Sequence, residues 1–258
     1  MVEICQNELP ILPWADPKIA RLPGLNPVAP GDWLLIDEAY DSQMAHRLSL
    51  MSEHQQIVHK LSDGARAAAE ELLENVLVEL SDKEGFEVQA DAVRCPDGRL
   101  VKLDWSQPLL TAGALVQEDF VIMQKQSDEH VMTGAILCFP ASWSLEQKFL
   151  KPLVKIHVPV DAYTPDIARR VQRLFDGIHV ARPMWRANYL FYNDPELFQP
   201  RREEERRSYD AGGPKWLRVE RQTMKRLEKT GAVIFSIHTY VLAQQRLDAL
   251  GIILPERE

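Results

Sequence analysis

Phe120-Val121-Ile122-Met123 and Ala135-Ile136-Leu137-Cys138-Phe139 decide how this chain folds. Each is a near-continuous apolar run of strand length, and the polar residues 126–130 between them suit the turn of a hairpin. Toward the C terminus the chain turns helical after Pro140. Ser144 followed by Gln147 fits a capping box, in which side chains satisfy the free N–H groups of a helix start. Lys155-Ile156-His157-Val158-Pro159-Val160 then sets a histidine between apolar residues, with Pro152 and Pro159 restricting the backbone around it. Thr164-Pro165-Asp166 is a strong helix start: a capping hydroxyl, proline at the first position, then an acid. Ile167, Val171, Leu174 and Phe175 supply its buried stripe, and Gly177 ends it. Three more strands are expected at 184–192, 216–223 and 232–241. The charge run at 201–207, with Glu203-Glu204-Glu205 in its middle, reads as solvated surface, and Gly212-Gly213-Pro214 breaks the chain after it.

Two hairpin-joined strands, a helical crossover and three further antiparallel strands is the order of a PAS-type domain. The expected class is therefore α+β, with a PAS-like five-stranded antiparallel sheet whose crossover helices enclose a ligand pocket. Fold by itself does not give function. On the N-terminal side, Pro10, Pro13, Pro17, Pro23, Pro27 and Pro30 make an extended arm, which Trp14 and Leu25 can pin to the body. Trp33 to Ile36 is a short apolar piece that ends the arm. Met44, Leu48 and Met51 suit one helical stripe; Ala69, Leu72, Leu73, Val76, Leu77 and Leu80 suit a second, started near Asp63-Gly64 and ended before Gly85. The two helices read as a helical hairpin packed on the sheet. Residues 86–104 form a connector with a hairpin turned at Pro96-Asp97-Gly98. Residues 1–104 are thus an arm, helical hairpin and connector, and 105–258 the PAS-like domain.

The chain is 45% hydrophobic and 26% charged, ordinary for a globular protein. A net charge of -8 disfavours nucleic acid as a partner, because phosphate binding needs a basic surface. No apolar run reaches the roughly 18 residues of a membrane span. Met1-Val2-Glu3-Ile4-Cys5 lacks the basic start and apolar core of a signal peptide. A cytoplasmic location without membrane partners is expected. Cys5, Cys95 and Cys138 are odd in number and too scattered for a CxxC motif, so reduced thiols are the simplest reading, with Cys138 a small core residue or, more sharply, a thiolate ligand. There is no GxGxxG, P-loop, HExxH or GxSxG pattern.

Strand alternation sorts the polar candidates. Arg218 and Glu220 share one face of their strand; Arg221 and Thr223 share the other with Val219. Ser236, His238 and Tyr240 share a face, as do Arg186 and Asn188. Polar groups within three neighbouring apolar strands suggest a common polar pocket, and buried charges need partners or a ligand. A haem would supply both: propionates for arginine forks and an iron for imidazole. His157 is such a ligand or a packed structural histidine. Glu220 holds a cationic amine or forms an ion pair with Arg218 or Arg221.

Several blocks resemble the alpha subunit of haem-dependent oxidative N-demethylase. They are Leu115-Val116-Gln117-Glu118-Asp119-Phe120; Cys138-Phe139-Pro140 with Trp143-Ser144-Leu145 and Lys148; Ile156-His157-Val158-Pro159-Val160; and Arg186-Ala187-Asn188-Tyr189. Asp194-Pro195-Glu196-Leu197-Phe198-Gln199-Pro200, Arg218-Val219-Glu220-Arg221-Gln222-Thr223 and Thr230-Gly231-Ala232-Val233-Ile234-Phe235 follow in order. The likeness runs from about residue 10 to residue 243. It implies a PAS-like subunit that binds haem b and uses O₂ to demethylate a small secondary amine, dimethylamine. It also implies NADPH electrons delivered by reductase partner subunits with FMN and a 2Fe-2S cluster, and a folate-binding partner whose tetrahydrofolate takes up formaldehyde. His157 matches the motif histidine and is the expected haem and metal ligand. Arg218, Arg221, Arg186 and Asn188 are the expected haem contacts by our assignment, and Glu220, Tyr240 and His238 the expected catalytic groups. The sequence departs from the family pattern at Asp161-Ala162 after the histidine motif, at Tyr189 where tryptophan is usual, and at His238 where arginine is usual. The alternative reading is a non-catalytic haem-binding PAS module that senses a gas or small ligand.

Overall fold

The computed structural model describes residues 4–20, 24–156, 165–205 and 208–255, and of 165–168 the backbone alone. A two-residue strand β1 (Asn26–Pro27) leads to helix α1 (Tyr40–Glu53), a single turn α2 (Gln55–Val58) and strand β2 (His59–Leu61). Helix α3 (Arg66–Ser81) precedes short strands β3 (Glu87–Val88), β4 (Ala92–Arg94) and β5 (Leu100–Lys102), then helix α4 (Pro108–Gly113). The long hairpin is β6 (Asp119–Gln126) and β7 (Glu129–Ile136). Its tight turn holds Ser127 at φ 55°. Helices α5 (Leu145–Lys148), α6 (Leu153–Ile156) and α7 (Pro165–Gly177) belong to the crossover. Strands β8 (Met184–Tyr192), β9 (Trp216–Arg226) and β10 (Val233–Ala243) and helix α8 (Gln244–Ala249) follow.

The expected α+β class and the five main strands are present, but the main sheet is larger than the five strands read from the sequence. It has seven, in the order β1-β8-β9-β10-β6-β7-β2, all antiparallel. The two extra strands come from the N-terminal part and sit at the edges. An edge strand needs backbone pairing more than an apolar pattern, so His59-Lys60-Leu61 and Asn26-Pro27 carry no period-two signal. Leu61 lies opposite Gly134, where a Cβ would meet the Leu61 side chain at 2.7 Å; glycine lets the edge strand dock. Strands β3, β4 and β5 form a separate small sheet, with the expected turn at Gly98 (φ 81°).

The helical hairpin is also corrected. Between α1 and α3 the chain passes through α2 and β2, and α3 packs chiefly against α4. The buried face of α1 carries Gln43, Met44, Arg47 and Leu50, with Leu48 and Met51 only partly buried. Of the α3 stripe, Ala69, Leu72, Leu73, Val76 and Leu80 are buried as read, and Leu77 is partly buried. Ser144 makes no capping hydrogen bond, because α5 is one turn long and the Gln147 amide reaches Glu204 (3.3 Å) and the Glu203 N–H instead.

Three apolar clusters hold the layers together. One joins α1, α3 and α4 to Phe120, Ile122 and Ile234. A second packs α6 and α7 over Val121, Met224 and Ile237, so the crossover lies on that face of the sheet. The third seats the N-terminal arm on Ala187, Val219, Tyr240 and Leu242. Trp14 pins the arm by edge contact with Tyr189 at 5.1 Å and a hydrogen bond to the Ile253 carbonyl (3.0 Å). Gln6 extends the sheet where β6 has ended. Its backbone N–H donates to Val241 O (3.1 Å), and its side chain receives Val241 N–H (2.8 Å) and donates to Thr239 O (3.1 Å). No helix among the described residues is long and apolar enough to cross a membrane.

Candidate functional site

Cross-strand register decides which polar side chains meet, because residues directly opposite each other share a face. Asn188 and Thr239 both pair with Glu220, from β8 and β10 respectively. These three, with Arg186, Arg218 and Gln222 two residues along, form one polar group on the crossover face. Ala187 and His238 both pair with Arg221, and Tyr240 pairs with Val219. Arg221, His238 and Tyr240 therefore stand on the opposite face. The structure brings Arg186, Asn188, Arg218 and Glu220 together and separates them from the other three. His157 lies outside the described residues, as do Thr164 and the Ile167 side chain. Ile156 and Val171, on either side of that gap, pack on the crossover-face cluster.

On the crossover face, Arg218 is 1% exposed and its fork is committed. It donates to Leu197 O (3.0 Å), to Phe139 O and to Glu220 Oε1 (3.3 Å). Gln222 donates to Glu220 Oε2 (3.2 Å) and receives Arg186 (3.1 Å). Glu220 and Arg218 thus neutralise one another, leaving Arg186 as a surplus half-buried cation. Burial pulls its pKa down, opposed by the Glu220 charge. Four atoms of this group have no hydrogen-bond partner among the described residues: Arg186 Nε, Asn188 Oδ1, Arg218 Nε and Thr239 Oγ1. Buried polar atoms are nearly always paired, so this surplus cation and its orphaned neighbours form a polar cradle whose chemistry suits an anionic ligand.

On the opposite face His238 is 1% exposed and bridges two carboxylates, Glu118 Oε1 at 3.2 Å from Nδ1 and Asp37 Oδ2 at 3.0 Å from Nε2. Ionised carboxylates only accept, so both ring nitrogens carry protons and the ring is a cation. Burial alone would lower its pKa, but the bonds and charges of Asp37 and Glu118 raise it to about 9. Histidine here supplies at neutral pH the charge that arginine would supply. Asp37 also accepts from Gln117 (2.8 Å) and Gln6 (2.9 Å), and Glu118 accepts Leu35 N–H (2.7 Å), so this cluster ties residues 35–37 and the arm to β10. Arg221 donates to the carbonyls of Asp32 (2.7 Å) and Trp33 (3.3 Å) and lies over the Trp185 ring.

The His238 bridge gives stability a definite pH dependence. A folded pKa of about 9 against an ordinary 6.5 means that the contribution is full below pH 6.5 and is lost as pH rises through about 9. Its size is on the order of 3 kcal/mol. Urea unfolding of the protein and of His238→Gln across that window is expected to show wild type losing its advantage as pH rises. Parallel profiles would refute the assignment.

Sequence reasoning missed Gln222, Thr239, Asp37 and Glu118. Gln222 was accessible, since it alternates with Arg218 and Glu220. Thr239 needed the register between β9 and β10, and Asp37 needed contact across 201 positions of sequence.

Fold and site together define an α+β protein with a cation-rich polar cradle under a helical crossover. A family model described as "Haem-dependent oxidative N-demethylase, alpha subunit-like" matches residues 24–255. The chain belongs to that family, as the quoted sequence blocks led us to expect.

Proposed function

We propose that this chain is the haem-binding subunit of an oxidative N-demethylase acting on a small secondary amine such as dimethylamine. The family match supports the haem and the reaction class. The observation in the structure that supports it is the crossover-face cradle, where, among the described residues, Arg186 bonds to no carboxylate and four polar atoms lack partners. A haem fits that chemistry. Arg186 would hold a propionate, with Asn188 and Thr239 orienting the polar edge. His157, in the segment between α6 and α7, is the proposed iron ligand. The five strands β6 to β10, with the crossover between β7 and β8, keep the PAS-like order and support a pocket under the crossover. Residues 105–258 then carry the pocket and residues 1–104 cover the sheet.

When bound, the haem would supply the O₂ and electron-transfer chemistry that no side chain here provides. The chain's own part is positioning. Glu220 has each oxygen fixed by one donor, Arg218 and Gln222, and the remaining lone pair of each is the proposed contact for a cationic amine. "Alpha subunit" in the family description supports work in a complex, with flavin, iron–sulfur and folate sites on partner subunits.

The test is an absorption spectrum of purified, haem-supplemented protein, with and without dithionite and then with dimethylamine. A Soret band that moves on amine addition is expected. His157→Ala should lose the band while keeping its fold by circular dichroism. Arg186→Ala should weaken haem binding roughly tenfold or more, through one lost charge-assisted contact. Full haem occupancy and an unchanged spectrum in His157→Ala would sink the ligand assignment, and no Soret band in wild type would sink the reading.

A further inference from the structure

We propose that the crossover-face cradle takes a zwitterion, so that the amine it serves carries its own carboxylate: an N-methyl-α-amino acid. The N-methyl group rests on the demethylase reading, whereas the zwitterion rests on the charge pattern of the cradle alone. That pattern is set by one amide. Gln222 receives Arg186 Nη1 on its carbonyl (3.1 Å) and donates from Nε2 to Glu220 Oε2 (3.2 Å). A cation and a carboxylate are thus held apart by a single donor–acceptor unit instead of closing on each other as an ion pair. An α-amino acid is a unit of the same kind with charges added. Its carboxylate suits the guanidinium, and its ammonium, one carbon further on, suits Glu220. It can bridge the two side chains alongside the Gln222 amide.

Neither end of that bridge is used up. A guanidinium has five N–H groups. Among the described residues Arg186 spends one, on Gln222, and its Nε has no partner. The two edges left to it serve two carboxylates, so a haem propionate and a substrate carboxylate can share it. Glu220 keeps a lone pair on each oxygen, since Oε1 receives Arg218 and Oε2 receives Gln222. Asn188 then separates this reading from a purely anionic ligand. Asn188 and Thr239 flank Glu220 on one rung of the sheet, from β8 and β10. Thr239 is 1% exposed. Asn188 Oδ1 and Thr239 Oγ1 are enclosed and have no partner among the described residues. An amide oxygen only accepts, and a carboxylate has no proton to give it. It calls for an N–H, and a secondary ammonium has two, one for Asn188 Oδ1 and one for Glu220. Apolar surface for a methyl group lies on the same face, because Ile237 opposes Gln222 and Leu190 opposes Arg218.

Isothermal titration calorimetry of the purified chain, haem-supplemented and haem-free, compares N-methylglycine, dimethylammonium chloride, glycine and glycine betaine. N-methylglycine is expected to bind about tenfold more tightly than dimethylammonium, the worth of one charge-assisted contact. Glycine, lacking the methyl contact, should bind about fourfold more weakly than N-methylglycine. Betaine, which has no N–H, should not bind. In Arg186→Gln the preference for N-methylglycine over dimethylammonium should disappear, because only the carboxylate contact is lost. The ratio of the two affinities is read, so any loss of haem acts on both ligands alike. No saturable binding of N-methylglycine, or dimethylammonium, glycine or betaine binding as tightly as it does, would overturn the proposal, as would a preference that survives Arg186→Gln. The Soret band of the same samples tests the haem reading separately. No band with the preference intact sinks that reading and leaves the zwitterion site; a band that moves with dimethylamine, without the preference, does the reverse.

Discussion

Asp119→Ala is expected to destabilise the fold by roughly 3–5 kcal/mol, enough to leave a domain of ordinary stability largely unfolded. Asp119 is 1% exposed and sits at a junction of four elements. Its Oδ1 receives Arg47 from α1 (2.6 Å) and the Cys138 N–H (2.7 Å), while Oδ2 receives the Phe139 N–H (2.8 Å). Arg47 is fully buried and also donates to Gly113 O at the end of α4 (2.7 Å). Removing the carboxylate strands a buried guanidinium and leaves two amide N–H groups without their acceptor. The pair as a whole is a different matter. Ion pairs in a dry interior gain little over well-packed apolar groups, because desolvation offsets the attraction. Arg47→Met combined with Asp119→Leu should therefore cost less than Asp119→Ala alone, despite removing more. Urea unfolding of the three proteins measures this. Asp119→Ala within about 1 kcal/mol of wild type would mean that the junction is solvated in solution.

Why that junction was invisible in the sequence, while the strands were not, follows from what each needs. β8, β9 and β10 are half-buried or buried ladders whose period-two pattern is local, and β8 was read to its end residues. Arg47 breaks an apolar helical stripe, which without its partner reads as a boundary to solvent. That partner is 72 positions away. β1 and β2 follow the same logic, since edge pairing leaves no residue pattern. The separation of Glu220 from His238 was partly legible. Alternation correctly sorted each strand into two faces, but which face of β9 meets which face of β10 depends on register, and Glu220 opposes Thr239, not His238. The polar residues looked like one pocket because three strands carry them; the sheet divides them into a cradle under the crossover and a brace under the arm.

Glu220→Ala should likewise cost roughly 3–5 kcal/mol, and the way it can be rescued separates a structural role from a ligand-holding one. Without Glu220, Arg218 keeps the carbonyls of Leu197 and Phe139 but loses its countercharge, and Gln222, which receives Arg186, loses the acceptor of its own amide. The cluster then holds one buried and one half-buried cation, and no carboxylate among the described residues bonds to either. Glu220→Gln should do less harm, about 1–3 kcal/mol, because its carbonyl still accepts from Arg218 while its amide confronts the Gln222 donor. If Glu220 only balances Arg218, no ligand alters that ranking. If the cradle holds the propionate edge of a haem, haem should raise the melting temperature of Glu220→Ala more than that of wild type, since the propionate replaces part of the missing charge. Dimethylamine should at the same time lose its effect on the Soret band of Glu220→Ala. An amine response that survives in Glu220→Ala would place the amine away from this carboxylate, and equal haem stabilisation of both proteins would leave Glu220 as the countercharge of Arg218 alone.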